Sequence, residues 1–308
     1  MNFTTVMYHY VRKVNESNFP NLKALEIEKF KNQLDYFKSN YNMISSKELY
    51  EFKFFNKPLP SNACLLTFDD GYKDHIEYVL PELLKRNIQG IFFPVVSSVL
   101  DRILLDVNKI QFILEKNFNY EKLIKEINSL CLEFGLDKSI LKNAWDSFGK
   151  PNRYDPGEIN YIKKLLQHLI PEKIRKDICD IMFKKYVSSD MKSFADSLYL
   201  SHSDVKELLN SGMEIGSHSV NHFWLNKLSI QNQQKEILPS KSFLKNLGVD
   251  TNRWMMCYPY GSYNKETMQI LEKENCAFAF TAKVGFSELI NKDFLELSRF
   301  DTNNFLKI

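Results

Sequence analysis

No stretch of this chain is apolar for long enough to span a bilayer, and the N-terminal MNFTTVMYHYVRK lacks the apolar core and small-residue cleavage site of a secretory signal. A membrane-spanning class is therefore excluded and a cytoplasmic location is expected. An excess of either charge is missing too. The 41 basic residues face 38 acidic ones, a formal net charge of +3 spread along the chain, so there is no electrostatic footprint for nucleic acid. Paired cysteines are also lacking: Cys64, Cys131, Cys179, Cys257 and Cys276 are odd in number and widely spaced. That argues against a disulfide framework and for reduced thiols buried as small apolar side chains. Internal repeats and low-complexity tracts are absent as well.

What is present is an ordinary globular composition, 44% hydrophobic and 26% charged over 308 residues, enough for a sizeable core in one large α/β domain or two smaller ones. The chain is organised around residues 65–72, LLTFDDGY. Four apolar or β-branched residues form a run too short for a helix, and Gly71 closes it as a turn would. Asp69 and Asp70 thus stand at the C-terminal end of a strand, where ligands and chemistry collect in barrels and open α/β sheets. Two adjacent carboxylates in an enclosed site need a cation or a proton between them. The plainer alternative is an Asp-Asp-Gly turn on the surface.

Around this stretch, residues 3–11 read as a strand with His9 near its end, and Ile27, Phe30, Leu34 and Phe37 recur at helical spacing. A strand at 41–44, a short helix at 46–52, a helix from Ile76 to Leu84 broken near Pro81 and a strand at 90–96 follow. This β-α alternation predicts an α/β fold with a mainly parallel sheet. From about 103 to 200 the periods are helical and strand-like runs nearly vanish, which predicts a helical insertion, interrupted by a loop at 149–157, that forms either a cap beside the active face or a packing appendage. The sheet pattern then resumes: a helix at 201–210 opened by Ser-x-x-Asp, a strand at 213–216, a helix at 230–247 kinked at Pro239, a strand at 254–258, a helix at 265–274 and strands at 277–282 and 295–300.

His218 and His222 follow a strand and a glycine at a spacing that can place two imidazoles on one face of a helical turn, and neutral imidazole is a common zinc ligand. Two histidines with one carboxylate leave positions open for water and substrate, as a hydrolytic metal requires, and leave the second carboxylate to act as a base.

TFDDG at 67–71, SHSVNH at 217–222 and YPYG at 258–261 together resemble the successive motifs of the NodB-homology polysaccharide deacetylases, which remove N-acetyl groups from amino sugars. The resemblance runs from His9 to about Phe300, apart from the helical insertion. It implies a single catalytic domain over 1–308 with the insertion at 103–200 inside it, a distorted (β/α)7 barrel, and a divalent metal, most often Zn2+, held by Asp70, His218 and His222. It further implies Asp69 as the base, and Tyr260 as the donor of a backbone N–H to the tetrahedral oxyanion. Two departures from the best-known members stand out: Met256-Cys257-Tyr258 occupies the place of an arginine before the Pro-Tyr pair, and no histidine follows His222 to supply a late Leu-x-His acid. A subgroup acting on poly-N-acetylglucosamine is more similar. By that similarity Tyr8-His9 makes His9 the acid that protonates the leaving amine, and Arg299, in LSRF, holds the base aspartate. The expected substrate is an N-acetylated sugar, nucleotide-linked, lipid-linked or part of an oligosaccharide. Three alternatives stay open: another metal-dependent amide or ester hydrolase on the same scaffold, a non-catalytic carbohydrate-binding relative, and an iron oxygenase with the same ligand count.

Overall fold

The computed structural model describes residues 2–152, 155–289 and 293–305. These form two compact units, one built from residues 2–13, 23–103 and 195–305, the other from 14–22 and 104–194.

The first unit is a ring of parallel strands. Strand β1 (Asn2–Tyr8) pairs with β2 (Ala63–Asp70), with Thr4 opposite Cys64 and Tyr8 opposite Phe68. Next come β3 (Gly90–Pro94), with Asp70 opposite Pro94, and β4 (Glu214–Ile215). The ring continues through a single parallel bridge, Ser217 to Met256, into the pair β5 (Trp254–Cys257) and β6 (Cys276–Phe280). A second bridge, Phe280 to Leu297, leads to β7 (Phe300–Asp301), which lies beside β1. Seven parallel segments thus close on one another, in accord with the barrel that the resemblance implies.

The strands obey a period of two. On β2 the row Ala63 and Leu65 joins Ile91, Phe93, Met255, Phe278, Phe280 and Leu297 in one buried cluster that fills the barrel. The alternate row, Cys64, Leu66 and Phe68, joins the cluster under the helices, for example with Phe30, Leu34 and Phe37 of the helix Ile27–Asn40. Asp69 belongs by spacing to the inner row, two residues beyond Thr67, and Cys257 continues the inner row of β5 after Met255. A side chain at Gly216 would run into the Phe93 ring, its Cβ only 2.3 Å away, so the absence of one lets Phe93 fill the interior.

The sequence-derived elements recur with shifted ends. Pro81 lies in the first turn of the helix Leu80–Arg86, after a π turn at His75–Val79, so the expected break is there. The helix Ile230–Leu247 is continuous with Pro239 inside it. The strand expected at 295–300 is reduced to the bridge at Leu297 and the two residues of β7, because Arg299 turns its backbone N–H to the Lys283 carbonyl. An unexpected antiparallel pair joins Ser287–Glu288 to the start of β1.

The second unit is helical: Asp106–Lys116, Tyr120–Glu133, Lys138–Phe148, Gly157–Lys164 and Glu172–Tyr186 are its main elements. Phe19, Phe112, Phe183 and Phe194 stack edge-to-face within it. A buried Lys109 is compensated by Asp106 and Asp180 at 3.0 and 2.5 Å, as a charge out of water requires. Residues 153 and 154 of the expected loop at 149–157 lie outside the described residues. No described helix is long and apolar enough to cross a membrane.

Candidate active site

Asp69 and Asp70 end β2 with exposures of 2% and 4%, so the surface-turn alternative is excluded. Alternation alone would send them to opposite faces. The chain instead turns sharply at Asp70, whose φ is +70°, followed by Gly71 at +73°. A Cβ at Gly71 would lie 2.8 Å from that of Pro94, so only glycine fits this turn.

The two acids have different environments. Asp69 is gripped end-on by Arg299, with Nη1 to Oδ1 and Nη2 to Oδ2 both 2.8 Å. Arg299 is itself buried, and its remaining donors meet Thr67 Oγ1 at 3.1 Å, the Thr281 carbonyl at 2.8 Å and Cys257 Sγ at 3.0 Å. The Cys257 thiol in turn donates to Asp69 Oδ2 at 3.3 Å. Burial would raise the Asp69 pKa, but the guanidinium outweighs it and brings the carboxyl down to about 2. His9, just past β1, places Nε2 3.9 Å from Asp69 Oδ2 with its side chain 41% exposed.

Asp70 has no arginine. Its Oδ2 accepts from Tyr72 OH at 2.6 Å. Its Oδ1 lies 3.3 Å from His218 Nε2 and 3.4 Å from His222 Nε2 and has no hydrogen-bond partner. Burial works to raise this carboxyl, and the imidazoles of His218 and His222 hold it well below its usual range. His218 Nδ1 is 2.8 Å from the Cys257 carbonyl. A carbonyl only accepts, so Nδ1 carries the hydrogen and, in the neutral ring, Nε2 turns a lone pair toward Asp70. Burial opposes charge on His218, yet Cys257 and the two carboxylates outweigh it and raise its pKa. His222 is the opposite case, depressed to about 3 by burial despite Asp70, and so stays neutral as a ligand must. Asp70, His218 and His222 bring one donor atom each within 4.8 Å of one another. An orphaned carboxylate oxygen facing two imidazole nitrogens fits a metal ion, and carboxylate with imidazole suits zinc among others.

The histidines do not share a helical turn, contrary to the expectation from their spacing. Residues 217–224 form an irregular loop in which Ser219 and His222 take φ values of +63° and +59°. The loop is pinned from inside. Ser217 Oγ donates to Ser240 Oγ at 2.7 Å, Ser219 Oγ accepts from the His222 N–H at 3.1 Å, and Glu236 accepts from the Asn221 backbone and side chain, both at 2.7 Å. Tyr260 sits in the turn after β5 with φ +57° and its ring edge-on to His222, centroids 4.5 Å apart.

All seven residues marked in the sequence are therefore gathered at one end of the barrel. Missed were Tyr72, which holds Asp70, and Cys257, which was expected to be an inert apolar thiol. All five cysteines are free and buried, but Cys257 bonds to both members of the Asp69–Arg299 pair. Its replacement of the expected arginine beside the Pro-Tyr pair was the one available signal.

Comparison with known proteins finds a partial likeness to one family. Residues 166–279 match the model of the polysaccharide deacetylases. A stretch of 94 residues, 30% of this chain and 33% of its relative, is 33% identical to YxkH of Bacillus subtilis (strain 168), itself assigned to the polysaccharide deacetylases. The second half of the chain is thus similar to the polysaccharide deacetylase family. Only about a third of that curated relative's length is spanned by the match. Solved structures extend the likeness in fold over the whole chain. Streptococcus pyogenes deacetylase PplD in complex with acetate superposes with a TM-score of 0.59 at 19% identity, covering 100% of this chain and 97% of the other. IcaB from Ammonifex degensii gives 0.55 at 17% identity, with coverages of 97% and 90%. A de-N-acetylase from Aggregatibacter actinomycetemcomitans gives 0.56 at 15%, with coverages of 97% and 94%.

Proposed function

We propose that this chain is a metal-dependent hydrolase that removes the N-acetyl group from an amino sugar of a saccharide or glycoconjugate precursor, releasing acetate and the free amine. The observation that carries the reading is the division of labour between adjacent carboxylates: Asp69 clamped by Arg299, and Asp70 left open toward His218 and His222.

Asp70, His218 and His222 would hold a divalent cation, Zn2+ by the chemistry of the donor set. Bound there, such an ion supplies Lewis acidity, acidifying a water and polarising the amide carbonyl. The chain's own groups do the rest. Asp69, kept ionised by Arg299, accepts the proton of the attacking water. Arg299 fixes the direction of that carboxylate through two parallel hydrogen bonds. Tyr260 offers its backbone N–H to the oxyanion as the carbonyl becomes tetrahedral. His9, at the open side of Asp69 and accessible to solvent, gives a proton to the nitrogen so that the amine can leave.

The decisive experiment is a mass-spectrometric screen of N-acetylated nucleotide sugars, lipid-linked sugars and oligosaccharides for loss of an acetyl group, with Asp69→Asn as the control. Acetyl loss that disappears in the variant is expected. Acetyl loss confined to esters, or undiminished in Asp69→Asn, would overturn the reading.

A further inference from the structure

The metal-ligating side chains at this end of the barrel form two overlapping sets, not one. Beside Asp70, His218 and His222 stands a second group, Asp69, His218 and Cys257, all buried and again with one donor atom each within 4.8 Å of one another. The sets differ in softness. The first offers oxygen and imidazole nitrogen, whereas the second adds a sulfur, which as thiolate draws zinc and still softer ions strongly. His218 is common to both, and a neutral imidazole has one free lone pair, so it serves one cation at a time. An ion in the second set would also take Asp69 as a ligand and cost the first set an imidazole.

Arg299 stands in the way of that ion. Its Nη2 reaches both the oxygen and the sulfur of the second set, at 2.8 Å from Asp69 Oδ2 and 3.0 Å from Cys257 Sγ. A guanidinium stays charged in a protein and has no lone pair to offer a metal, so it meets a second cation only with repulsion. Bonds to Thr67 Oγ1 and to the Thr281 carbonyl, at 3.1 and 2.8 Å, hold it in place from other strands. Asp70 Oδ1, in contrast, faces the two imidazoles and has no hydrogen-bond partner.

We propose that Arg299 selects the metal of this site: as a built-in cation it closes the Asp69–His218–Cys257 set, a latent site for a soft, thiophilic ion, and leaves the Asp70–His218–His222 set as the one an ion enters. The competition between the sets stands on geometry, whereas its meaning for turnover rests on the hydrolytic reading above. Once the guanidinium is removed, Cys257 gives its thiol proton to water and binds the soft ion as thiolate, with Asp69 and His218 as the other ligands. Cys257 is thus a hazard that Arg299 keeps occupied.

The test titrates Cd2+, a soft ion whose thiolates absorb in the ultraviolet, into the full chain. Wild type is expected to bind it without a cadmium–thiolate band. Arg299→Leu, which adds no sulfur, and Arg299→Gln, which keeps N–H donors but not the charge, should both show the band, saturating at a single ion per chain. Their preference for Cd2+ over Zn2+, read by chelator competition, should rise about 10- to 100-fold, the range over which the neighbours of a ligand set tune it. Adding Cys257→Ser to Arg299→Leu should abolish the band, which separates this thiol from the remaining free cysteines. Adding Asp69→Asn to Arg299→Leu should weaken Cd2+ by about tenfold or more; unchanged affinity there would mean a merely loosened thiol and would overturn the proposal. A thiolate band in wild type, or its absence from both Leu and Gln, would overturn it as well. Failure of the wild type to release acetate from penta-N-acetylchitopentaose would count against the hydrolytic reading, and the cadmium comparison would still decide the selection.

Discussion

Replacing Arg299 by Met keeps the volume of a buried side chain but removes every charge-assisted contact to Asp69. In the native fold the Asp69 carboxyl is lowered from 3.8 to about 2 although burial pushes it upward, a net displacement worth about 2 kcal/mol. The variant strands a carboxylate at 2% exposure and leaves the Thr281 carbonyl and Thr67 hydroxyl without their donor. Removing one partner of a buried ion pair costs about 3 to 5 kcal/mol, a large share of the roughly 5 to 15 kcal/mol that stabilises a typical protein. Asp69→Asn alone should cost a similar amount, because it strands the guanidinium instead. The double variant Asp69→Asn/Arg299→Met has no uncompensated charge, so its loss should be smaller than the sum by about 2 kcal/mol or more. Urea unfolding of the four metal-free proteins at neutral pH reads this coupling, provided that the slopes agree. A coupling below about 0.5 kcal/mol would refute the reasoning, since the pair would then contribute nothing as a pair.

Three further outcomes follow from the site. Asp70→Asn and His222→Ala should each weaken zinc binding by at least ~100-fold relative to wild type, whereas Asp69→Asn should keep wild-type stoichiometry, read by competitive chelator titration; equal affinity in all of them would dissolve the proposed ligand set. His9→Ala should slow release of acetate from an N-acetyl amide by about 10²- to 10⁴-fold but leave 4-nitrophenyl acetate nearly unaffected, because that leaving group needs no proton. Equal effects on both would take the acid role from His9. His75, buried among Phe68, Tyr72 and Phe92, is depressed from 6.5 to about 4 by burial. The unfolded chain therefore binds the extra proton first, and stability should fall by about 3 kcal/mol as pH drops from 6.5 to 4. His75→Gln should flatten that slope, and an unchanged slope would assign it to other groups.

The barrel was readable because each strand is a short apolar run with punctuation on both sides, and the helices between them keep their own period. The acids were readable for the same reason, as LLTF ends in DDG within a few residues. What the pattern could not show is how distant pieces meet. Arg299 and Cys257 reach Asp69 across 230 and 188 positions, and no local period encodes such a contact. Arg299 entered only through family likeness. Cys257 looked like any buried thiol because its identity as a small apolar residue and its place at the top of an inner row are separate facts. The histidine spacing misled for a related reason: a separation of four suits a helix, but left-handed residues at 219 and 222, pinned by Ser240 and Glu236, bring the rings together by another path.

The two single bridges that close the barrel carry a consequence for the order in which function is lost. Strands β1 to β4 and β7 share continuous ladders, whereas β5 and β6 pair fully only with each other and join the rest through Ser217–Met256 and Phe280–Leu297. These two strands still share the barrel core with the others, through Met255, Phe278 and Phe280. The turn bearing Tyr260 follows β5, and His218 is tied to the same strand by the Cys257 carbonyl at 2.8 Å. On gradual heating, parting of either bridge should thus disturb the Tyr260 turn and the cation ligands together, so that turnover and cation binding fade in step and not one after the other.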